Sequence, residues 1–140
     1  MKTVKKMVKM MLLVIVVLPF GFLTGCATNR VDLADSGVLT LEKQAAGKVY
    51  IAWNDAYKDG DGFVVTGVLR RRDTVGLPIK AHVDITIQSP DGTIIDTSRS
   101  SDIYVPRRIV GKGQSLNRFK VRFSSIPVEG SNVSVVANSG

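Results

Sequence analysis

Between residues 79 and 88 apolar and polar side chains alternate without a break. Ala81, Val83, Ile85 and Ile87 fall on one side, and His82, Asp84, Thr86 and Gln88 on the other. A period of two sustained over that length is a strand with one buried face. Residues 118–123 repeat the pattern, with Phe119, Val121 and Phe123 set against Arg118, Lys120 and Arg122. Val49, Ile51 and Trp53 form a third such set, and all three are expected to point into the core. Runs rich in Val, Ile, Thr and aromatics, bounded by Gly, Pro, Asn and Asp, predict strands at 38–42, 48–53, 63–71, 79–88, 93–98, 103–105, 116–123 and 132–137. Ser89-Pro90-Asp91-Gly92 has Pro at the second turn position and Gly at the fourth, which joins two of these runs as a hairpin. No helical period is sustained after the leader, and residues 42–46 make one turn at most. The expectation is an all-β domain, an antiparallel two-sheet sandwich of about seven or eight strands.

The first 26 residues follow a different pattern. Lys2, Lys5, Lys6 and Lys9 precede an uncharged stretch at 10–22, too short for the roughly 20 apolar residues that span a bilayer. A basic start and a short apolar run read as an export signal. It ends in Leu23-Thr24-Gly25-Cys26, which resembles the lipobox of bacterial lipoproteins. That resemblance implies cleavage before Cys26, with Leu23, Thr24 and Gly25 recognised by the signal peptidase. It also implies palmitate-type acyl chains on the Cys26 thiol and a second acylation on the new amino terminus. Several buried acyl chains, at about 0.8 kcal/mol per methylene, anchor a protein in effect permanently. By the sorting rule of that family, Ala27 after the cysteine implies the outer membrane, with the domain facing the periplasm. Cys26 is the one cysteine of the chain, so a disulfide within it is excluded, and acylation accounts for an otherwise unpaired thiol. The expected organisation is a cleaved signal peptide at 1–25, a lipidated tether at 26–36 and a sandwich at 37–140.

Within the mature part, Val65-Thr66-Gly67-Val68, Asp91-Gly92, Gly111-Lys112-Gly113 and Phe119 fall in an order that resembles small immunoglobulin-like modules of exported bacterial proteins, the FxLYD-type domains. The family's Leu-Tyr-Asp signature is absent, since Ile-Thr-Ile-Gln occupies 85–88. An immunoglobulin-like sandwich is what this resemblance implies, and it carries no function.

Charge changes the picture once the chain is divided. The whole sequence has 19 basic and 12 acidic residues and a net charge of +7, a balance that raises nucleic acid as a partner. Removing the four leader lysines leaves 15 basic against 12 acidic residues, or +3. Export and that mild balance argue against nucleic acid. Along the stripe Arg118, Lys120 and Arg122 no aromatic interleaves, which leaves a base-stacking platform unsupported.

Candidate chemistry is sparse. His82 is the one histidine and Asp84 lies two residues on along the same strand face, yet no Gly-x-Ser-x-Gly elbow supplies a nucleophile, and a cross-strand polar pair is the simpler reading. Asp59-Gly60-Asp61-Gly62 has the look of a calcium loop. Aligned on Gly62, however, it puts Tyr57 and Val68 where carboxylates are needed. One histidine and one cysteine make no zinc site, and no phosphate-cradling loop is present, so no cofactor or metal is expected. The basic candidates are Arg70-Arg71-Arg72, Arg107-Arg108 and the Arg118, Lys120, Arg122 stripe, the last able to meet lipid phosphates, acidic protein segments, or a glycan such as lipopolysaccharide or peptidoglycan. The polar loop 106–114 is a second candidate binding segment. The expected function is a non-catalytic binding or scaffolding module for another envelope component. An anion or glycan binder and a His82-based hydrolase are the rivals.

Overall fold

The computed structural model describes residues 30–107 and 117–140. Nine strands follow one another: β1 (Arg30–Asp32), β2 (Thr40–Ala45), β3 (Val49–Asp59), β4 (Gly62–Arg71), β5 (Ile79–Gln88), β6 (Ile94–Arg99), β7 (Ile103–Val105), β8 (Arg118–Phe123) and β9 (Asn132–Ser139). They form two sheets packed as a sandwich. Sheet A has the order β1-β3-β4-β8, and sheet B the order β2-β9-β5-β6 with β7 also paired to β5.

The alternation in β5 and β8 does what the sequence requires. Ala81, Val83, Ile85 and Ile87 from sheet B meet Phe119, Val121 and Phe123 from sheet A in one core, completed by Phe63, Val65 and Leu69 of β4 and by Val133, Val135 and Ala137 of β9. Phe63 and Phe123 pack as a tilted aromatic pair with ring centres 5.9 Å apart. In the β5–β6 turn the Gly92 amide donates to the Ser89 carbonyl at 2.9 Å, with Gly92 at φ +87°, where glycine is preferred. Residues 42–46, expected to reach one helical turn at most, instead extend β2 to Ala45.

Four features depart from the expectation. β2 and β9 pair in parallel, so the sandwich is not wholly antiparallel. The folded domain starts before residue 37: β1 pairs with the end of β3, and Leu33 lies in the core. Residues 30–36 are therefore part of the sandwich rather than tether, because a short polar segment with one buried leucine pairs without showing a period. β3 runs six residues past 53, through the polar stretch that ends at Asp59. Its register shifts between Ile51 and Trp53, a β-bulge at Ala52. Val49 and Ile51 point inward as expected, but the extra residue turns Trp53 to the outer face, where it is 46% exposed.

The connections define two ends. β1 begins beside Asp59, at the end that also carries the β3–β4 turn, the β5–β6 turn and the start of β9. The opposite end holds the 72–78 loop between β4 and β5, the start of β8 and the end of β9.

Candidate functional site

On the outer face of sheet A, residues directly opposite one another on neighbouring strands stand side by side. Trp53 of β3 is opposite Val68 of β4, which is opposite Arg118 of β8. The next row is Asp55, Thr66 and Lys120, and the one after it is Asp32, Tyr57, Val64 and Arg122. Arg70 and Tyr50 face each other on the far side of the Trp53 row. The basic stripe of β8 thus shares its face with Tyr50, Trp53 and Tyr57, which corrects the expectation of a face without interleaved aromatics. The bulge is the reason for Trp53; the tyrosines come from β3, whose place on this face is set by strand order and not by the spacing along β8.

The cations of this face divide into two groups. Arg122 is engaged: its Nη1 donates to Asp59 Oδ2 at 3.0 Å and its Nη2 to the Asp59 carbonyl at 3.1 Å, over Gly62. Arg30 is engaged too, 3.4 Å above the Tyr57 ring and 3.0 Å from Asp55. Among the described residues, Arg118 and Lys120 form no ion pair, and both are exposed. Burial of Asp55 and the adjoining Asp32 carboxyl raise the Asp55 pKa, against the opposing pull of the Ala56 amide and Arg30. The candidate anion-binding stripe therefore contracts from three residues to Arg118 and Lys120, with Trp53 on the same face.

The triple-arginine run separates by strand parity. Arg70 faces outward with an interaction of its own, and Arg72 is exposed. Arg71 is buried: its Nε donates to Asp73 Oδ1 at 2.6 Å, its Nη1 to the Leu77 carbonyl at 2.6 Å, and its Nη2 to the Val75 carbonyl. The guanidinium staples the 72–78 loop and leaves the Val75 and Leu77 side chains exposed. Burial and three donated bonds make Arg71 an internal clamp rather than a surface cation. Arg107 is exposed at the start of the loop toward β8, while Arg108 and residues 109–116, with Gly111-Lys112-Gly113, lie outside the described residues. So do Leu23, Thr24, Gly25 and Cys26.

His82 and Asp84 do share the outer face of sheet B, with His82 Nε2 3.6 Å from Asp84 Oδ2. Asp84 is committed elsewhere. Arg99 donates to both of its oxygens, at 2.6 and 3.2 Å, and Asn138 Nδ2 donates to Oδ2 at 2.8 Å. The Arg99 bond is the main reason its pKa is lowered. Among the described residues no hydroxyl is hydrogen-bonded to His82. Asp59, the first carboxylate of the would-be calcium loop, is held by Arg122, and no group of three metal-ligating side chains occurs among the described residues.

The chain matches no protein-family model, no curated protein and no solved structure. Function must accordingly be read from the residues and their geometry.

Proposed function

We propose that this chain is a lipid-anchored envelope protein whose sandwich is a non-catalytic binding module, and that its binding surface is the outer face of sheet A. The observation that carries the binding role is Trp53, turned outward by the Ala52 bulge onto the same face as Arg118 and Lys120, two cations with no ion pair among the described residues. An exposed indole beside uncommitted cations is a surface that gains by meeting a partner.

The anchor rests on the lipobox resemblance at Leu23-Thr24-Gly25-Cys26 and on Cys26 being the one cysteine. The start of β1 at Arg30 adds a constraint. Four residue steps from Cys26 span at most about 14 Å, so lipid on that thiol holds the β3–β4 turn end of the sandwich at the bilayer surface. Ala27 favours the outer membrane and a periplasmic orientation. The partner is another envelope component, and nucleic acid has no part in this reading.

The anchor is tested by metabolic palmitate labelling of wild type and Cys26→Ser. Label on wild type and none on the variant, whose precursor stays uncleaved, is the expected result. Normal maturation of the serine variant would overturn it. The binding role is tested by chemical crosslinking in intact envelopes. Arg118→Glu with Lys120→Glu is expected to abolish the crosslinked species, and its unchanged recovery would overturn the assignment to this face.

A further inference from the structure

Resting on that reading of sheet A, we infer that the ligand is an acidic saccharide, a polymer of uronate-type sugars laid across β3, β4 and β8 with a ring on Trp53 and its carboxylates on Arg118 and Lys120. The face supplies each component such a ligand needs. A pyranose ring has a patch of C–H bonds that packs on an aromatic surface and a rim of hydroxyls that must be hydrogen-bonded. Trp53, 46% exposed next to the half-buried Val68, provides the apolar surface. Thr66 Oγ1 donates to the Phe119 carbonyl at 2.9 Å, which leaves its lone pairs free to accept from a sugar hydroxyl. The carboxylate of Asp55, in the same row, is a second acceptor.

Charge selects the acidic member of the class. Arg118 and Lys120 stand two strands away from Trp53 and Asp55, about 10 Å across the sheet, the breadth of a short oligosaccharide. Both lack an ion pair among the described residues, whereas Arg30 and Arg122 on the same face are matched by Asp55 and Asp59. A guanidinium takes a sugar carboxylate with paired hydrogen bonds, and an ammonium takes one as a point charge. A neutral glycan leaves these cations unmatched. An anionic bilayer fits the face less well, because a lipid on Cys26 would hold the β3–β4 turn end of the sandwich, rather than this face, at the membrane.

The test uses the fact that Trp53 is the one tryptophan of the chain, so its fluorescence reports on this face alone. The full chain in detergent is titrated with polygalacturonate, alginate and hyaluronate, with fully methyl-esterified polygalacturonate and polyglutamate as comparisons. At least one uronate polymer is expected to shift the Trp53 emission saturably. Esterification, or Arg118→Gln with Lys120→Gln, is expected to weaken that binding about tenfold or more, the scale of a lost charge-assisted contact. Trp53→Leu, read by mobility in polymer-containing gels, is expected to lose retention while keeping the circular dichroism of the wild type. An equal shift with polyglutamate overturns the saccharide in favour of an acidic peptide. No shift with any of the three uronate polymers also overturns it. The envelope crosslink separates the two failures: loss of the crosslink on Arg118→Glu with Lys120→Glu keeps the face as the binding surface, and its persistence removes both readings.

Discussion

At the residue scale, Gly67 shows how tightly the candidate site is tied to the core. A Cβ placed there meets the Phe119 ring and the Trp53 carbonyl at 2.5 Å each, so the bulge that turns Trp53 outward and the ring beneath β4 both close on this position. Gly67→Val forces one of them to move. The expected cost is roughly 1–3 kcal/mol, the range for overpacking a filled interior, measured as a lower urea midpoint together with a changed Trp53 emission. A mid-strand glycine was visible in the sequence, but its reason was not, because the atoms that crowd it come from other strands. Asp55 gives a second prediction. Its pKa is raised in the folded state, chiefly by burial and then by Asp32. A carboxyl with a raised folded value stabilises the fold when protonated and loses that contribution as pH rises through the raised value. Asp55→Asn, which mimics the neutral form, is therefore expected to match wild type near pH 3 and to be the more stable at pH 7. Denaturant curves across that range check it, and a variant that loses ground as pH rises contradicts it.

At the element scale the strands divide by the strength of their own pattern. β5 and β7 coincide with their expected limits, since β5 alternates throughout and the Ser89 to Gly92 turn fixes its end. β1 went unread because three residues carry no period. Its pairing depends on contacts remote in sequence, above all Arg30 stacked on Tyr57 and bonded to Asp55. Straight parity through Ala52 puts Trp53 inside, and a bulge leaves no mark of its own in a single sequence. Because Ala52 is the extra residue, deleting it leaves Tyr50, Ile51, Trp53 and Asn54 on the faces they now occupy. The deletion is expected to cost no more than about 2 kcal/mol, to keep a cooperative unfolding transition and to leave Trp53 open to acrylamide quenching. Loss of cooperative unfolding, or a shielded Trp53, contradicts the bulge assignment.

At the scale of the whole molecule, chain order places possible roles at different surfaces. The parallel pairing of β2 with β9 joins the second and the last strand in sheet B, and β1 enters at the β3–β4 turn end, where a lipid on Cys26 would hold it. The Arg71-clamped 72–78 loop lies at the opposite end, away from that anchor. The two-sheet architecture was legible because burial on one face writes itself into every long strand. The candidate face was legible in part: Arg118, Lys120 and Arg122 showed as a stripe, but which of them is already matched and which aromatics share the face depend on strand order. The most direct measurement of the central claim places a photocrosslinking amino acid at position 68, on the outer face of sheet A between Trp53 and Arg118, or at position 42, exposed on sheet B, in the full chain in intact envelopes. An adduct from position 68 and none from position 42 is the predicted result. An adduct from position 42 alone, or equally from both, would contradict sheet A as the binding surface.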